Sequence, residues 1–271
     1  MNTPHSLPRR LAPPAFGEHL RQWRQRRRMS QLALSTDADI SARHLSFVET
    51  GRALPSREMV LRLSERLQIP LRDRNTMLVA AGYAPMYKER PLDDPALAAA
   101  RQAVELVLKG HEPNPALAVD RHWNMVASNR MVGHFLQGVG PELLKPPVNV
   151  LRLSLHPQGM APRIVNLGQW RAHLFGRLRQ MIQATADPVL AALLDELQRY
   201  SGPAEPDDLR LDGELLGVVL PLKLKTPAGV MSFISTTTVF GSPVDVTLQE
   251  LAVETLFPAD EWTAQALRAL A

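Results

Sequence analysis

Residues 30–56 decide the fold of this chain, and they read SQLALSTDADISARHLSFVETGRALPS. Ser30 and Ser41 each suit the cap position before a helix, because a serine oxygen accepts a hydrogen bond from a free N–H group of the first helical turn. Residues 36–39 between them lack apolar periodicity, which favours a turn. Gly51 suits the left-handed position that follows a helix C-terminus. The stretch therefore predicts two short helices joined by a tight turn.

Three further helices are predicted around this stretch, the first from an apolar stripe, the second from a serine cap and the third from the glycine that ends it. They cover residues 16–28, 57–67 and 73–81. Phe16, Leu20 and Trp23 mark the apolar side of the first of them, and Gly82 ends the last. Five short helices of this kind predict an all-α domain over residues 16–82.

The helix that follows Ser41 has two different sides. The apolar residues that share one side and can be buried are Ile40, Leu45 and Val48. On the other side, Arg43 suits two hydrogen bonds to guanine, Phe47 suits contact with a thymine methyl, and Ser46 reaches a base or a phosphate. The alternative is an ordinary solvated helix with Phe47 folded back onto a neighbour. The arrangement favours a helix-turn-helix that binds double-stranded DNA.

The charge of the chain is divided unevenly. Residues 1–90 hold 16 Lys and Arg against 8 Asp and Glu, whereas the remaining residues hold 15 against 19. A basic N-terminal part before a mildly acidic C-terminal part is expected when only one of the two neutralises phosphates. At 271 residues the chain is also long enough for two domains. The charge therefore supports a DNA-binding domain at the N-terminus.

The N-terminal segment resembles the XRE (lambda-repressor-like) helix-turn-helix family. The resemblance rests on the opening SQLAL, the later ETGR and the Pro-Ser that follows it. It implies that Gln31 contacts the DNA backbone and that Arg24 pairs with Glu49, tying the first helix to the end of the third. The chain departs from the family at Ala42, where Gln or Arg is frequent. The DNA-binding residues that we predict are Gln31, Ser41, Ala42, Arg43, His44, Ser46, Phe47 and Arg52.

Composition narrows the class of protein. The chain has no cysteine, which excludes disulfides, thiolate zinc sites and cysteine nucleophiles. The histidines lack metal-site spacing, and neither G-x-S-x-G nor a glycine-rich phosphate loop is present. No apolar run reaches the roughly 18 residues of a membrane span, and residues 1–15 lack the apolar core of a signal peptide. We therefore expect a cytoplasmic non-enzyme without metal or cofactor, with residues 1–15 as a flexible arm.

Residues 83–95 are punctuated by proline and predict a linker. The remainder alternates between helical and strand patterns. Helices are predicted over residues 96–109, 129–136, 149–155, 162–185, 187–200, 248–257 and 260–270. Strands are predicted over residues 116–120, 123–127, 217–225 and 229–239. The mixture predicts a second domain of the α/β (α+β) class over residues 96–271.

This second part resembles the MmyB-like regulator ligand-binding domain, a PAS-like α/β module that follows XRE-type helix-turn-helix domains. The resemblance rests on residues 115–129, 149–170 and 234–260. It implies a sensor whose apolar pocket takes a small lipophilic, fatty-acid-like effector. The whole chain is then a multi-domain protein, with an all-α lambda-repressor-like domain followed by a PAS-like sensor domain.

Seven residues are candidates for the wall of such a pocket. They are Trp123, Asn129, Arg152, His156, Arg163, Trp170 and Phe233. The aromatic rings suit an apolar wall, and an arginine at its mouth suits a carboxylate, to which it can donate two hydrogen bonds. The alternatives are equally physical: aromatic rings at these spacings fill ordinary cores, His156 can cap a helix, and Arg152 or Arg163 can form surface or interdomain ion pairs.

Together these patterns predict a sequence-specific DNA-binding transcription regulator whose C-terminal domain senses the effector. One short helix reads too few base pairs for useful specificity, so we expect a homodimer on two half-sites, with much of the dimer contact in the C-terminal domain. The alternative is a regulator whose C-terminal domain only dimerises or contacts a protein partner, without a small-molecule ligand.

Overall fold

The computed structural model describes residues 16–201, 220–240 and 245–271. The chain divides into two compact units, Met1–Glu89 and Arg90–Ala271, called here the helical unit and the sheet unit. The predicted N-terminal arm, residues 1–15, lies outside the described residues, as do the first residues of the strand predicted over 217–225. The fold class is confirmed: an all-α unit is followed by an α+β unit.

The helical unit contains five short helices around one core. They are α1 (Phe16–Arg26), α2 (Gln31–Asp37), α3 (Ala42–Glu49), α4 (Arg57–Arg66) and α5 (Leu71–Ala80). The caps predicted from serine are present, because the side chains of Ser30, Ser41 and Ser56 accept hydrogen bonds from the N–H groups three residues on, at 3.0–3.2 Å. These bonds satisfy N–H groups that the helix itself leaves free, and so fix where α2, α3 and α4 begin.

Two left-handed residues shape the connections on either side of α3. Asp39, in the turn between α2 and α3, has φ +52°, and Gly51, just beyond α3, has φ +73°. Aspartate tolerates this conformation better than most residues, and glycine adopts it without steric cost. The turn therefore closes within the four residues 38–41, and α3 ends where the sequence predicted.

The sheet unit is built on five antiparallel strands. They are β1 (Ala116–Val119), β2 (Met125–Ser128), β3 (Leu222–Thr226), β4 (Gly229–Val239) and β5 (Ala252–Pro258). Their order across the sheet is β2-β1-β5-β4-β3. The helices are α6 (Ala98–Gly110), α7 (Arg130–Phe135), α8 (Val150–Leu155), α9 (Leu167–Thr185), α10 (Pro188–Gln198), α11 (Val246–Gln249) and α12 (Glu261–Leu270). After α6, a strand, a turn, a strand and a helix follow in the predicted order.

The helix predicted over residues 248–257 is wrong. Only the single turn α11 is helical there, and Ala252–Pro258 form β5, the central strand, which pairs with β1 on one side and β4 on the other. A central strand is buried on both faces, so its sequence loses the alternation that would distinguish it from a buried helix. Two β-branched residues, Val253 and Thr255, favour the strand and were the available signal.

The sheet separates two apolar layers. Alternate residues of β1 face opposite sides: Ala116 and Ala118 pack against α6, whereas Leu117 and Val119 face the larger core. That core joins the sheet to α7, α8, α9, α10 and α12. In β5, Val253 packs on the α6 side. Because the strand period is two residues, the next residue, Glu254, points to the opposite side, toward the larger core, as does its partner Leu117 in β1. This placement brings a carboxylate beside the apolar layer.

The segment predicted as a linker, residues 83–95, makes contacts within each unit on its own side of the boundary. Tyr83 donates a hydrogen bond to the Pro55 carbonyl at 3.0 Å, and Asn75 binds the backbone of Tyr87. Beyond the boundary of the units, Arg90 pairs with the buried Asp245 at 3.4 Å. The boundary at residues 89 and 90 lies inside the predicted segment.

Candidate DNA-binding surface and candidate ligand pocket

Helix α3 has the two sides that its sequence predicts. Leu45 and Val48 are fully buried in the core of the helical unit, and Ile40 packs against the same core in part. On the opposite side Arg43 is exposed, together with Ser41 and Ala42 at the start of the helix. His44, Ser46 and Phe47 are half-buried. The start of α3 therefore presents short polar groups and one exposed arginine to solvent.

Phe47 lies between two arginines. Its ring is 5.4 Å from the guanidinium carbon of Arg43 and 5.9 Å from that of Arg52. A guanidinium within about 6 Å of an aromatic face is attracted to the ring electrons. We call this group the Arg43–Phe47–Arg52 stack. Phe47 is thus neither fully exposed nor buried in the core. Its ring contacts two cationic side chains at the surface of α3.

An ion pair ties the first helix to the end of α3. Arg24 donates to both carboxylate oxygens of Glu49, at 2.6 and 3.0 Å, and also to the Met29 carbonyl at 2.9 Å. Gln31 adds a third hydrogen bond to Glu49, at 2.7 Å. Burial by itself would raise the pKa of Glu49, but the hydrogen bonds from Arg24 and Gln31 and the charge of Arg24 lower it below its usual value.

Gln31 therefore has a structural partner within the chain. The family resemblance assigns it a DNA-backbone contact, and the structure places one of its N–H groups on Glu49. An amide nitrogen carries two hydrogens, so one bond to Glu49 leaves a second donor on the same nitrogen. The residue links the start of α2 to the ion pair and stands half-buried at the surface.

The sheet unit contains a cavity of about 130 Å³ between the sheet and helices α7, α8 and α9. Its wall is mainly apolar. The larger side chains in it include Trp123, Phe135, Leu151, Trp170, Leu174 and Leu256. Two of the seven predicted pocket residues, Trp123 and Trp170, line this cavity. Trp170 donates to the Ser154 hydroxyl at 2.9 Å and stacks on His173 at 5.4 Å, so its ring has a fixed position.

Trp123 has an unusual backbone. Its φ of +68° lies in the left-handed region, which is rare for a bulky residue and costs free energy unless the surroundings impose it. The surroundings do so here: its N–H donates to Asp120, and its carbonyl accepts from Val150. The Asp120 carboxylate in turn accepts from the backbone of His122 and Asn124 at 2.8 Å each. The turn thus holds the indole ring against the cavity.

The polar part of the cavity wall is an ion pair that sequence reasoning missed. Arg177 of α9 contacts Glu254 of β5 at 3.0 Å, and its guanidinium lies 4.6 Å from the centre of the Trp123 ring. Thr237 accepts from Arg177 at 2.8 Å and donates to Glu254 at 2.7 Å. Ser235 donates to Glu254 at 3.2 Å. We call these four residues the polar cluster.

The available sequence signal for the polar cluster was partial. Arg177 follows Trp170 by seven residues, so it lies on the apolar side of α9, where a charge is unusual. Glu254 fell within the segment wrongly predicted as a helix, which hid its place opposite Thr237 in the sheet. Burial lowers the pKa of the adjacent His173, and the Arg177 charge lowers it further, against a smaller opposing effect of Glu254.

Phe233 and Asn129, two other predicted pocket residues, do not line the cavity. Phe233 is fully buried behind Phe135, which it meets edge-to-face at 5.6 Å. Asn129 is buried on the α6 side, where its side chain accepts from the Ala116 N–H and donates to the carbonyls of Leu108 and Asn114. Phe233 therefore lies behind the wall of the cavity, and Asn129 joins three backbone segments on the α6 side.

The remaining predicted pocket residues, Arg152, His156 and Arg163, also lie away from the cavity wall. Arg152 makes a two-point ion pair with Glu196 at 2.7 and 2.8 Å. His156 follows the last residue of α8, accepts from the Gln158 N–H at 3.0 Å and packs edge-on against Tyr200. Arg163 donates to the Phe135 carbonyl. Each of these three side chains has a hydrogen-bond partner within the fold, and none of them lines the cavity.

Comparison with known proteins agrees with this division into two units. Residues 100–270 match the MmyB-like transcription regulator ligand binding domain, and residues 15–77 match a helix-turn-helix domain. The chain therefore belongs to the family of MmyB-like transcription regulators. It combines a helix-turn-helix DNA-binding domain with the ligand-binding domain of that family, which is the build of a transcription regulator.

Other comparisons add little. No curated protein matches the chain. One similar solved structure is an RNA-binding light-oxygen-voltage receptor at 13% identity and a TM-score of 0.25, and the match covers 93% of this chain and 62% of that receptor. A likeness this weak carries no argument about fold or function. Among the described helices, none has the length and apolar character needed to cross a bilayer, and the described residues hold no group of three potential metal ligands.

Proposed function

We propose that this protein is a cytoplasmic, sequence-specific transcription regulator whose C-terminal, PAS-like domain senses a small lipophilic effector of the acyl, fatty-acid-like class. The observation that carries the proposal is the apolar cavity in the domain whose family is defined by ligand binding. Cavities that are apolar, with a few polar groups at one place, are the usual form of small-molecule sites.

The DNA contact is assigned to the start of α3. Arg43 is exposed there and suits guanine in the major groove, while Ser41, Ala42, His44 and Ser46 lie close enough along the helix to contact bases or phosphates. Arg52 and the second Gln31 hydrogen suit the phosphate backbone. Because α3 is only two turns long, we propose that a homodimer reads two half-sites about 34–36 Å apart.

The effector would act by changing the arrangement of two DNA-binding units. A ligand shifts a conformational equilibrium only as far as it binds one arrangement more tightly than the other. The fold gives a route for this, because the cavity is lined from α7, α8, α9 and the central sheet, so filling it changes the packing of three helices at once.

The first experiment is DNase footprinting with purified protein on the DNA beside its own gene, followed by titration of the protected site with and without fatty acids of increasing chain length. We expect one protected region with two half-sites and an operator affinity that changes at least about fivefold with effector, the lower end of allosteric coupling. An operator affinity that no acyl compound changes would contradict the sensor function while leaving DNA binding intact.

A second candidate function has one observation in its favour. The cavity volume of about 130 Å³ lies below the roughly 300 Å³ at which drug-sized ligand pockets begin, so the sheet unit could serve only for dimerisation or contact with a protein partner. Native mass spectrometry separates the two functions. A co-purifying acyl species supports the sensor, and a dimer that remains free of ligand across the fatty-acid series supports the alternative.

A further inference from the structure

The positive charge in the cavity wall comes from Arg177. Among the lining residues that the structure describes, only Arg177 and Glu254 are charged, and most of the wall is apolar. The guanidinium of Arg177 lies 4.6 Å from the centre of the Trp123 ring. A guanidinium binds a carboxylate well because its planar fork can donate two hydrogen bonds to the two oxygens. Arg177 is therefore the group in this wall that suits an acidic head group.

The ion pair between Arg177 and Glu254 is loose. Its two hydrogen bonds measure 3.0 and 3.3 Å, whereas those between Arg152 and Glu196, in the same unit, measure 2.7 and 2.8 Å. Hydrogen bonds between charged nitrogen and oxygen groups are usually about 2.7–2.9 Å long. Within the described residues, Arg177 uses three of its five N–H groups, two on Glu254 and one on Thr237. The guanidinium therefore has a distant partner and unused donors.

Glu254 has partners that remain if Arg177 turns to a ligand. The Ser235 hydroxyl donates to Glu254 at 3.2 Å, and the Thr237 hydroxyl donates to it at 2.7 Å. Both hydroxyls belong to β4, and Thr237 lies directly opposite Glu254 in the sheet. A buried carboxylate without a donor is costly, so these two hydrogen bonds lower the cost of releasing Arg177. The polar cluster can therefore change partners without leaving Glu254 unsatisfied.

From these features we propose that Arg177 binds the carboxylate of the effector and that Glu254 competes with this carboxylate for the same guanidinium. The inference rests on the proposed ligand-binding function and deepens it, because it assigns the head group of an acyl effector to the polar cluster and its chain to the apolar part of the wall. Glu254 is then an internal competitor. It holds the arginine in place, and its negative charge weakens the binding of a second anion nearby.

The test uses two pairs of probes, hexanoate with hexanamide and decanoate with decanamide. The members of each pair have the same chain and nearly the same shape, but only the carboxylate is charged at neutral pH. The shorter pair suits the cavity of about 130 Å³, which is close to the roughly 150 Å³ of an engineered apolar cavity that binds benzene. Isothermal titration calorimetry on the full-length protein measures the affinity for each probe, and the ratio within a pair separates recognition of the charge from recognition of the chain.

Glu254→Gln removes the competing charge and keeps the size of the side chain. Its affinity for the carboxylate probe should rise at least about tenfold over wild type, while its affinity for the amide should change by less than about twofold. A residue with a purely structural role would affect both probes alike. An unchanged or weakened affinity for the carboxylate in a folded Glu254→Gln variant would therefore overturn the inference.

Arg177→Met, made in the Glu254→Gln background, removes the guanidinium without leaving a buried carboxylate unpaired. The carboxylate probe should then bind no more tightly than the amide. Arg152→Met is the matched control, because Arg152 also has a two-point pair with a glutamate but lies outside the cavity wall. It should leave the ratio of the two affinities at its wild-type value. A double variant that binds the carboxylate as tightly as Glu254→Gln alone would exclude Arg177 as the receptor.

If Glu254→Gln does not fold, Arg177→Lys takes its place. Lysine keeps the charge but lacks the planar fork, so the carboxylate probe should lose at least about fivefold in affinity relative to the amide. An unchanged ratio would overturn the inference and leave the sensor function standing. If neither the four probes nor any longer fatty acid binds to the wild-type protein, the sensor function itself fails.

Discussion

At the scale of single residues, the surface of α3 depends on one aromatic ring. Phe47 holds the guanidinium groups of Arg43 and Arg52 within 6 Å of its centre. An arginine that is already placed loses less side-chain entropy when it meets a base than one that is free in solution. We propose that Phe47 serves DNA binding in two ways, by positioning these two arginines and by contacting a thymine methyl.

The first prediction concerns Arg43. Replacing it with alanine removes a donor pair suited to guanine, so binding to a mapped operator should weaken by about 1–3 kcal/mol, with relaxed preference at one base pair. Electrophoretic mobility shifts on a set of single-base operator variants measure both effects. Arg268→Ala, which removes the same charge from the sheet unit, is the control and should leave base preference unchanged. An unaltered operator affinity in Arg43→Ala would mean that α3 meets DNA by another side.

The second prediction concerns Glu49 and acid. Its pKa is lowered in the folded chain, so the stability it contributes is present above its unfolded pKa of about 4.3 and is lost as the pH falls through the folded value. We expect the melting temperature of the helical unit to fall more steeply below about pH 4.3 in wild type than in Glu49→Gln. Thermal unfolding followed by circular dichroism across this range measures the difference. Parallel pH profiles would rule out a contribution from the ion pair.

At the scale of elements, prediction from sequence succeeded where a local signal was sufficient. Serine caps at 30, 41 and 56 and a left-handed Gly51 are set by neighbours in sequence, and the helical unit followed from them. Pairing between distant strands has no such local signal. β5 was therefore missed as a strand, and with it the partnership of Arg177 and Glu254 across 77 residues of chain.

The third prediction concerns the contact between α1 and α3. A Cβ added at Gly17 would lie 2.3 Å from the Glu49 carbonyl oxygen, which is backbone and cannot turn aside. Gly17→Ala should therefore push the helices apart, destabilise the helical unit by about 1–3 kcal/mol and weaken operator binding. Urea unfolding and mobility shifts measure the two effects.

Gly176 of α9 supplies the matched control for Gly17. A Cβ there meets nothing within 4 Å, so Gly176→Ala should stabilise its helix by about 0.5–1 kcal/mol, because alanine loses less backbone entropy than glycine. A Gly17→Ala variant that matched this gain would contradict the close packing of α1 on α3.

At the scale of the whole molecule, the two units carry opposite net charge: residues 1–89 hold 15 Lys and Arg against 8 Asp and Glu, and residues 90–271 hold 16 against 19. A protein that binds DNA through only its basic unit should show the salt dependence of a limited number of phosphate contacts. The acidic sheet unit should in turn avoid the phosphates.

The fourth prediction follows from that charge division and from the proposed dimer. Operator affinity should fall steeply with salt, by a log–log slope near the number of phosphates contacted, and Arg52→Ala should reduce that slope by about one for each half-site. Fluorescence anisotropy over a range of potassium chloride concentrations measures the slope. Inserting half a helical turn between the two half-sites should abolish tight binding, and an operator insensitive to the insertion would contradict a symmetric dimer.

Asn75 sets the minimum size of an autonomous DNA-binding fragment. Its side chain accepts from the backbone of Met86 and Tyr87 and donates to the Tyr87 carbonyl, at 2.7–3.0 Å, and Arg72 binds Glu89 at 2.6 Å. A fragment cut after Gly82 would leave the amide of Asn75 facing water and remove the aromatic ring that lies 6.0 Å from Arg74. Limited proteolysis should accordingly release a core that retains Glu89, and a shorter recombinant piece should melt at a lower temperature.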